Sequence, residues 1–374
     1  MAGIYIHIPF CKNKCVYCNF YSIASSHYYN DFVSALLSEI ELQKNYLEGA
    51  KVKTIYFGGG TPSLLVQKDL MHIFEKLQQC FEIATDAEIT YEANPDDLNS
   101  TKINELRKTT VNRISIGIQS FFDNDLKYLK RIHTASQAES AVKRCQDVGF
   151  ENISIDLIYG MPTLTNDNWK RNIDKSFSLE VPHISAYGLT VETKTALETL
   201  INKGKAIAVN EEQSVKQFKI LMQQMKANNF NHYEISNFCK QGFLSQHNSN
   251  YWKGEKYLGL GPSAHSYNLE SRQWNVADIK EYIQKIEQKI IPSEKEVLTT
   301  EQKLNEYIMT SLRTVWGCDL NYIEKTFGKD YTSSLISKSE IFILKGQMIS
   351  NNNILSLTDE GKLFADGIAG DLFE

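Results

Sequence analysis

Three thiols fall within eight residues near the start of the chain, in Cys11-Lys12-Asn13-Lys14-Cys15-Val16-Tyr17-Cys18. Thiolates that converge from one short loop are metal ligands by chemistry, because the sulfur anion is both nucleophile and donor. Zinc would need a fourth ligand to close a tetrahedron, and the nearest candidate is His7. His7 lies inside a strand pattern, however, with Ile4, Ile6 and Ile8 on one face, which turns the imidazole to the other. A [4Fe–4S] cluster usually takes four cysteines; three would leave one iron with an exchangeable position, a site built for chemistry. Spacing alone leaves a cluster, a zinc site and plain structural cysteines all open. The other four cysteines (Cys80, Cys145, Cys239 and Cys318) are scattered, which does not resemble a disulfide framework. A reducing cytoplasm is the expected compartment.

The loop must be held by something, and the surrounding pattern says what. Strand-like runs are expected at 4–8, 53–57, 88–92, 113–118, 152–158 and 183–189. Amphipathic helical stretches fall between them, at 29–46, 68–79, 101–108, 136–148 and 168–178. Six such alternations predict an α/β fold of βα units around a parallel sheet, open or closed into a barrel. The run Thr54-Ile55-Tyr56-Phe57 has the β-branched and aromatic content of an interior parallel strand. Polar or glycine-rich features recur where these strands end. They are the cysteine loop, Gly58-Gly59-Gly60-Thr61-Pro62, Glu92-Ala93-Asn94-Pro95 and Gln119-Ser120, with Asp156 inside the fifth strand. Ligands of parallel α/β folds sit at the carboxyl ends of strands, so five features in register predict one shared site.

A chain of 374 residues exceeds the size at which one core keeps growing. The expected division is 1–230 as the βα unit, 231–290 as an irregular aromatic segment and connector, and 291–374 as an α-rich module. In that module a helix at 301–314, a hairpin at 346–357 around Asn351-Asn352-Asn353, and a last helix from 359 capped by Thr358 predict a winged-helix-like fold. The formal charge of −5 gives no global pull toward nucleic acid, no basic recognition helix stands out, and no partner of that kind is expected. No secretory leader and no membrane-spanning run are read from the sequence.

Cys-x₃-Cys-x₂-Cys after a first strand, with the aromatic Tyr17 before the last cysteine, resembles the signature of the radical S-adenosylmethionine (SAM) superfamily. Gly58-Gly59-Gly60-Thr61-Pro62 resembles that superfamily's glycine motif. The likeness continues in order through Tyr5-Ile6-His7-Ile8-Pro9-Phe10-Cys11, Glu92-Ala93-Asn94-Pro95, Ile116-Gly117-Ile118-Gln119-Ser120-Phe121, Leu129-Lys130-Arg131-Ile132-His133 and Asp156-Leu157-Ile158-Tyr159-Gly160-Met161-Pro162. Together these resemble one group, the oxygen-independent coproporphyrinogen III dehydrogenases and their HemW-type heme-chaperone relatives. The resemblance implies a partial (β/α)6 barrel with Cys11, Cys15 and Cys18 ligating a [4Fe–4S] cluster. It implies SAM contacts at Tyr5, Tyr17, Gly59, Gly60, Thr61, Glu92, Gln119, Arg131 and Asp156. Arg131 is expected to grip the methionine carboxylate with both arms of its guanidinium.

Two features separate the branches. The dehydrogenases resemble CxxxCxxCxC, and the fourth cysteine position is Phe20 here. The chain also begins at its first strand, without the N-terminal extension the dehydrogenases use near their substrate. His247-Asn248-Ser249-Asn250-Tyr251-Trp252 resembles the HNxxYW motif of the heme chaperones, which implies heme contact at His247, Tyr251 and Trp252, with His265 as a second candidate. The first expectation is a chaperone that passes heme to an acceptor protein, membrane-associated acceptors included, with an electron donor and a homodimer as further partners. The alternative is oxidative decarboxylation of coproporphyrinogen III in porphyrin biosynthesis. A radical enzyme on another substrate is a third.

Overall fold

The computed structural model describes all residues, 1–374. Six parallel strands form its centre: β1 (Ala2–Ile8), β2 (Val52–Gly59), β3 (Ile83–Ala93), β4 (Arg113–Gln119), β5 (Ile153–Tyr159) and β6 (His183–Gly188). Between them run α1 (Tyr29–Leu42), α2 (Gln67–Cys80), α3 (Ser100–Arg107), α4 (Asp123–Tyr128), α5 (Ala135–Asp147) and α6 (Asn166–Ser178). The expected βα pattern is present, and its boundaries move by few residues except in α1, which stops four residues early, and β3, which starts five residues early. Three of these helices begin on side-chain caps that the sequence supplies: Asn99 for α3, Thr134 with Gln137 for α5, and Thr165 for α6. β1 is buried on both faces, as an interior parallel strand must be.

After β6 come α7 (Ala196–Asn202) and α8 (Glu211–Ala227). Residues 231–290, expected to be irregular, instead extend the sheet at both edges. β7 (Asn231–Glu234) and β8 (Asn237–Cys239) form an antiparallel hairpin against β6. Beyond α9 (Gln246–Trp252), β9 (Lys256–Leu260) joins β1 in parallel. β10 (His265–Tyr267), β11 (Ser271–Asn275) and β12 (Ser293–Val297) follow antiparallel, with α10 (Ile279–Glu287) between the last two. The sheet is thus an open, twelve-stranded one with the six-stranded βα unit at its centre. These edge strands are three to five residues long, too short for an alternating pattern to be read. Ile279, Tyr282, Ile283 and Ile286 of α10 pack into the same core as the barrel strands.

The remainder has its own smaller core, from Leu304 to Leu372. α11 (Thr300–Leu312), β13 (Cys318–Asp319), α12 (Leu320–Phe327), α13 (Lys329–Leu344), β14 (Met348–Asn351) and β15 (Ile354–Leu357) follow the order of a winged helix. Asn352 and Asn353 both take positive φ, +51° and +61°, which is the backbone a two-residue hairpin turn requires and asparagine tolerates. The Thr358 hydroxyl accepts from Gly361 N–H at 3.1 Å, but the helix expected from 359 does not start there. A 3₁₀ turn at Gly361–Phe364 intervenes and α14 (Ala365–Asp371) follows. No helix of the structure is long and apolar enough to cross a membrane.

Candidate functional site

The carboxyl ends of the barrel strands surround a cavity of about 470 Å³. The cysteine loop forms one wall and is tied down at several points. Cys11 N–H donates to Ile23 O at 3.0 Å, Ile23 N–H to Pro9 O at 2.7 Å, and Leu197 N–H to Val16 O at 2.8 Å. Lys12 pairs with Asp96 at 2.8 Å, anchoring the loop to the segment after β3. His7 is not available as a zinc ligand: one ring nitrogen contacts Tyr21 O at 2.8 Å and the other the Tyr5 hydroxyl at 3.2 Å. No three His, Cys, Asp or Glu side chains are gathered closely enough to share one metal ion. Three thiols on one loop, lining one cavity, do fit the donor set of a cluster with one iron left open. Donors already face two of the sulfurs, the Thr61 hydroxyl at 3.4 Å from Cys11 Sγ and Arg131 Nη1 at 3.5 Å from Cys15 Sγ. Burial pushes the Cys18 thiol up from its ordinary value, and the neighbouring thiols add to that, so a cationic partner is what would ionise it.

The glycine turn forms the next wall. Gly59 has φ +102°, and a Cβ there would lie 2.6 Å from the His7 ring. On Gly60, whose N–H donates to Ile8 O at 2.8 Å, a Cβ would meet Phe10 O at 2.7 Å. Bare backbone is therefore obligatory at both positions, and it borders the cavity. Glu92 ends β3 and accepts from the Tyr56 hydroxyl at 2.7 Å. Burial raises its carboxyl from 4.5 to about 7, and Asp156 is raised by burial from 3.8 to about 6. The Ser115 hydroxyl donates to Asp156 at 3.3 Å. Gln119 closes β4 with a left-handed backbone, φ +68°, which turns the chain at the cavity rim. Arg131 Nη2 donates to Asn94 Oδ1 at 2.6 Å and to Gly117 O at 2.7 Å, whereas its Nε is buried without a partner. With Nη1 on Cys15 Sγ, both arms of the expected carboxylate fork are thus already engaged within the chain.

Eight of the nine residues expected to contact SAM line this cavity: Tyr17, Gly59, Gly60, Thr61, Glu92, Gln119, Arg131 and Asp156. Tyr5 does not. Its backbone pairs with Tyr56 in the β1–β2 register, but its ring rises to the glycine turn, against Gly58 and near Glu92, with its hydroxyl 3.2 Å from His7 Nδ1, just behind the cavity wall. Asn94, Ser115 and Tyr187 line the cavity without having been singled out. Asn94 lay within a quoted motif, so its hydrogen bonds to Arg131 and Thr61 were the missing information. Arg113, almost fully buried, was missed altogether; its charge opposes the desolvation of Asp156.

The heme-motif residues sit elsewhere. Ser245 caps α9, and the Glu88 carboxylate accepts from the N–H groups of Gln246 and His247 at 3.0 Å each. This places His247 inside the amino end of the barrel, 2% exposed. Its Nδ1 contacts the Thr54 hydroxyl and its Nε2 the Tyr251 hydroxyl, both at 2.9 Å, while its ring stacks on Tyr56 at 5.0 Å. Burial lowers it from 6.5 to about 3, so it is neutral. Both ring nitrogens are thus engaged within the chain, so the heme contact expected at His247 would require Thr54 or Tyr251 to give way. Tyr251 and Trp252 instead line a second cavity, about 1100 Å³, between the barrel and the C-terminal module. His265 stands at neither cavity and stacks on Trp274 at 6.2 Å.

Comparison with known proteins gives the family and the fold. Residues 5–175 match the model of the radical SAM superfamily. The chain is 34% identical to the heme chaperone HemW of Bacillus subtilis over 99% of this chain and 98% of that protein. It is 35% identical to the heme chaperone HemW of Escherichia coli over 70% of this chain and 69% of that one. Among solved structures, coproporphyrinogen III oxidase (HemN) from Escherichia coli superposes with a TM-score of 0.87, covering 100% of this chain and 90% of that chain at 20% identity. That last likeness is one of fold.

Proposed function

Because this chain belongs to the radical SAM superfamily, in the branch of the HemW proteins, we propose that it binds heme and passes it to an acceptor protein. The full-length likeness to heme chaperones carries this reading. Cys11, Cys15 and Cys18 would hold a [4Fe–4S] cluster, with SAM against Gly59, Gly60, Thr61, Glu92, Gln119, Arg131 and Asp156. Such a cluster, when reduced, would supply one electron to SAM bound beside it. The chain's own residues bring backbone groups close at the glycine turn and present two half-buried carboxylates, Glu92 and Asp156, to a cation or ribose. Heme contact falls to Tyr251 and Trp252, with His247 behind them. Phe20, 62% exposed beside the loop, takes the place of the fourth cysteine of the dehydrogenases and supports carriage over porphyrinogen oxidation. A reducing compartment such as the cytoplasm keeps the thiols competent.

Hemin added to the purified protein should give a Soret band, and that band should move to apomyoglobin when the two are mixed. In a parallel assay the anaerobically reconstituted protein receives SAM, dithionite and coproporphyrinogen III. Sustained formation of protoporphyrinogen would overturn the chaperone reading.

A further inference from the structure

A cluster that gives an electron to SAM must first receive one, and the fold decides where that electron can enter. On its inner side the cysteine loop faces the cavity that SAM would fill. On its outer side most of the loop is covered. The Cys11 end is tied to Ile23, and Val16 is buried with its carbonyl held by Leu197 of α7. Cys15 is the exception. It is partly exposed and belongs to two walls, that of the inner cavity and that of a cleft on the outer surface. Cys11 and Cys18 line only the inner one. The outer cleft has a volume of about 20 Å³, room for a water and for no cofactor. What such a shallow surface can fit is another surface.

The charge around the cleft runs against that of the chain, which carries −5 as a whole. Lys12, Lys130 and Arg131 line it, with Lys14 next to Cys15 and Lys127 one turn before Lys130. The one acid of the cleft, Asp96, and its neighbour Asp97 both pair with Lys12. Asp123, the next exposed acid along the chain, stands at the far end of α4 and accepts from Ala135 N–H at 2.8 Å. Lys14, Lys127 and Lys130 are exposed and form no ion pair. Asn13 Nδ2 donates to Lys130 O at 3.3 Å, which fixes the cysteine loop to the turn after α4. Ile132, 54% exposed, lies in the same cleft. An apolar side chain among unpaired cations is the composition of a contact with an acidic protein. Arg131 carries the arrangement inward: it lines both walls and places Nη1 3.5 Å from Cys15 Sγ.

We propose that the outer face of the cysteine loop, centred on Cys15 and bordered by Lys14, Lys130 and Ile132, is the docking surface for a small acidic electron-carrier protein. The proposal rests on the cluster reading of Cys11, Cys15 and Cys18. One electron passes from the reduced carrier to the cluster; no bond forms or breaks, and the carrier leaves oxidised by one electron. The negative remainder of the chain repels an acidic carrier, so the patch sets its orientation as well as its rate of arrival.

The test mixes the reconstituted full-length protein anaerobically with reduced flavodoxin, a small acidic flavoprotein, and follows bleaching of the cluster absorbance by stopped flow. The second-order rate constant should fall by about tenfold or more between low salt and about 0.2 M salt. Lys14→Glu and Lys130→Glu should each slow the reaction by about tenfold at low salt and by much less at high salt. Calorimetric titration with oxidised flavodoxin should rank the same proteins in the same order. Dithionite, which needs no docked partner, should reduce wild type and both variants at similar rates. Lys325→Glu, on the C-terminal module, should change none of these rates. Iron and sulfide content shows whether each variant keeps its cluster; should Lys14→Glu lose it, Lys127→Glu and Lys130→Glu decide the matter. A salt-independent rate, wild-type rates in the lysine variants, or reduction by dithionite and not by flavodoxin would overturn the docking surface and leave the cluster reading standing. A chain that takes up no iron and sulfide would overturn both.

Discussion

Glu92→Gln separates the folding role of one carboxylate from its ligand role. In the folded chain Glu92 accepts from the Tyr56 hydroxyl at 2.7 Å, and burial has carried its carboxyl from 4.5 to about 7. A folded-state value above the unfolded one means that the native chain binds the proton more tightly. The associated stability is complete below about pH 4.5 and is lost as pH rises through about 7. At ~1.4 kcal/mol per pH unit, the ionised carboxylate at pH 8 destabilises the fold by on the order of 3 kcal/mol. Glutamine keeps an oxygen for Tyr56 and never ionises, but its buried amide returns a desolvation cost of about 1–2 kcal/mol. The variant should therefore be more stable than wild type at pH 8, by about 1–2 kcal/mol, and no more stable at pH 5, where Glu92 is already protonated. SAM binding should move the other way. Losing a charge-assisted hydrogen bond is worth about 1.5–3 kcal/mol, or roughly ten- to a hundredfold in affinity. Urea unfolding of the barrel at both pH values and calorimetric SAM titration of the reconstituted protein read the two effects. Equal destabilisation at pH 5 and pH 8, or an unchanged SAM affinity, would refute the reasoning.

Serine at Cys11, Cys15 or Cys18 should abolish iron and sulfide uptake on anaerobic reconstitution, whereas alanine at Cys80 should leave both intact, as measured by metal and sulfide analysis. His7, His133 and His232 are lowered by burial to about 4 and His247 to about 3, so the unfolded chain takes up their protons first. Each contributes a loss of about 2 kcal/mol between pH 6.5 and pH 5, which together outweigh the opposing gain from Glu92 and Asp156. The urea midpoint of wild type should fall over that interval, and a flat or rising midpoint would contradict the burial of these rings. Gly59→Ala combines a left-handed backbone with a contact 2.6 Å from the His7 ring, and should lower the thermal midpoint and SAM affinity together.

What could be read from the sequence followed the regularity of the elements. Strands at the barrel centre are buried on both faces and flanked by capped helices, so composition and punctuation located them to within a few residues, apart from the start of β3. The edge strands β7 to β11 are too short for a period to emerge, and their pairing depends on which edge the chain returns to. The same limit applies to Tyr5, whose ring lies behind the cavity wall beside Gly58 and Glu92. Alternation says that Tyr5 faces away from Ile4 and Ile6, but only the register with Tyr56 says how deep it lies. Gly59, Glu92, Gln119 and Asp156 were legible as a group because strand ends in parallel folds converge. His247 was legible as a motif and not as a place. The motif gives the residue types, while Thr54, Glu88 and Tyr56, far off in sequence, decide that the ring is enclosed.

That enclosure also sets a packed wall between the two cavities of the chain. Glu92 lines the upper cavity and accepts from Tyr56; the Tyr56 ring stacks on His247; His247 holds Tyr251; and Tyr251 lines the lower cavity. Four side chains in contact therefore run the length of the barrel interior. A radical formed on SAM held at the cysteine loop would have no open path past these four side chains to the lower cavity. A shift of Glu92 toward a bound cation, by contrast, reaches Tyr251 through three contacts. Coupling of this kind requires a member with two discrete arrangements. Tyr251, with its hydroxyl held by His247 and its ring on the wall of the lower cavity, is where occupancy of either cavity would be felt.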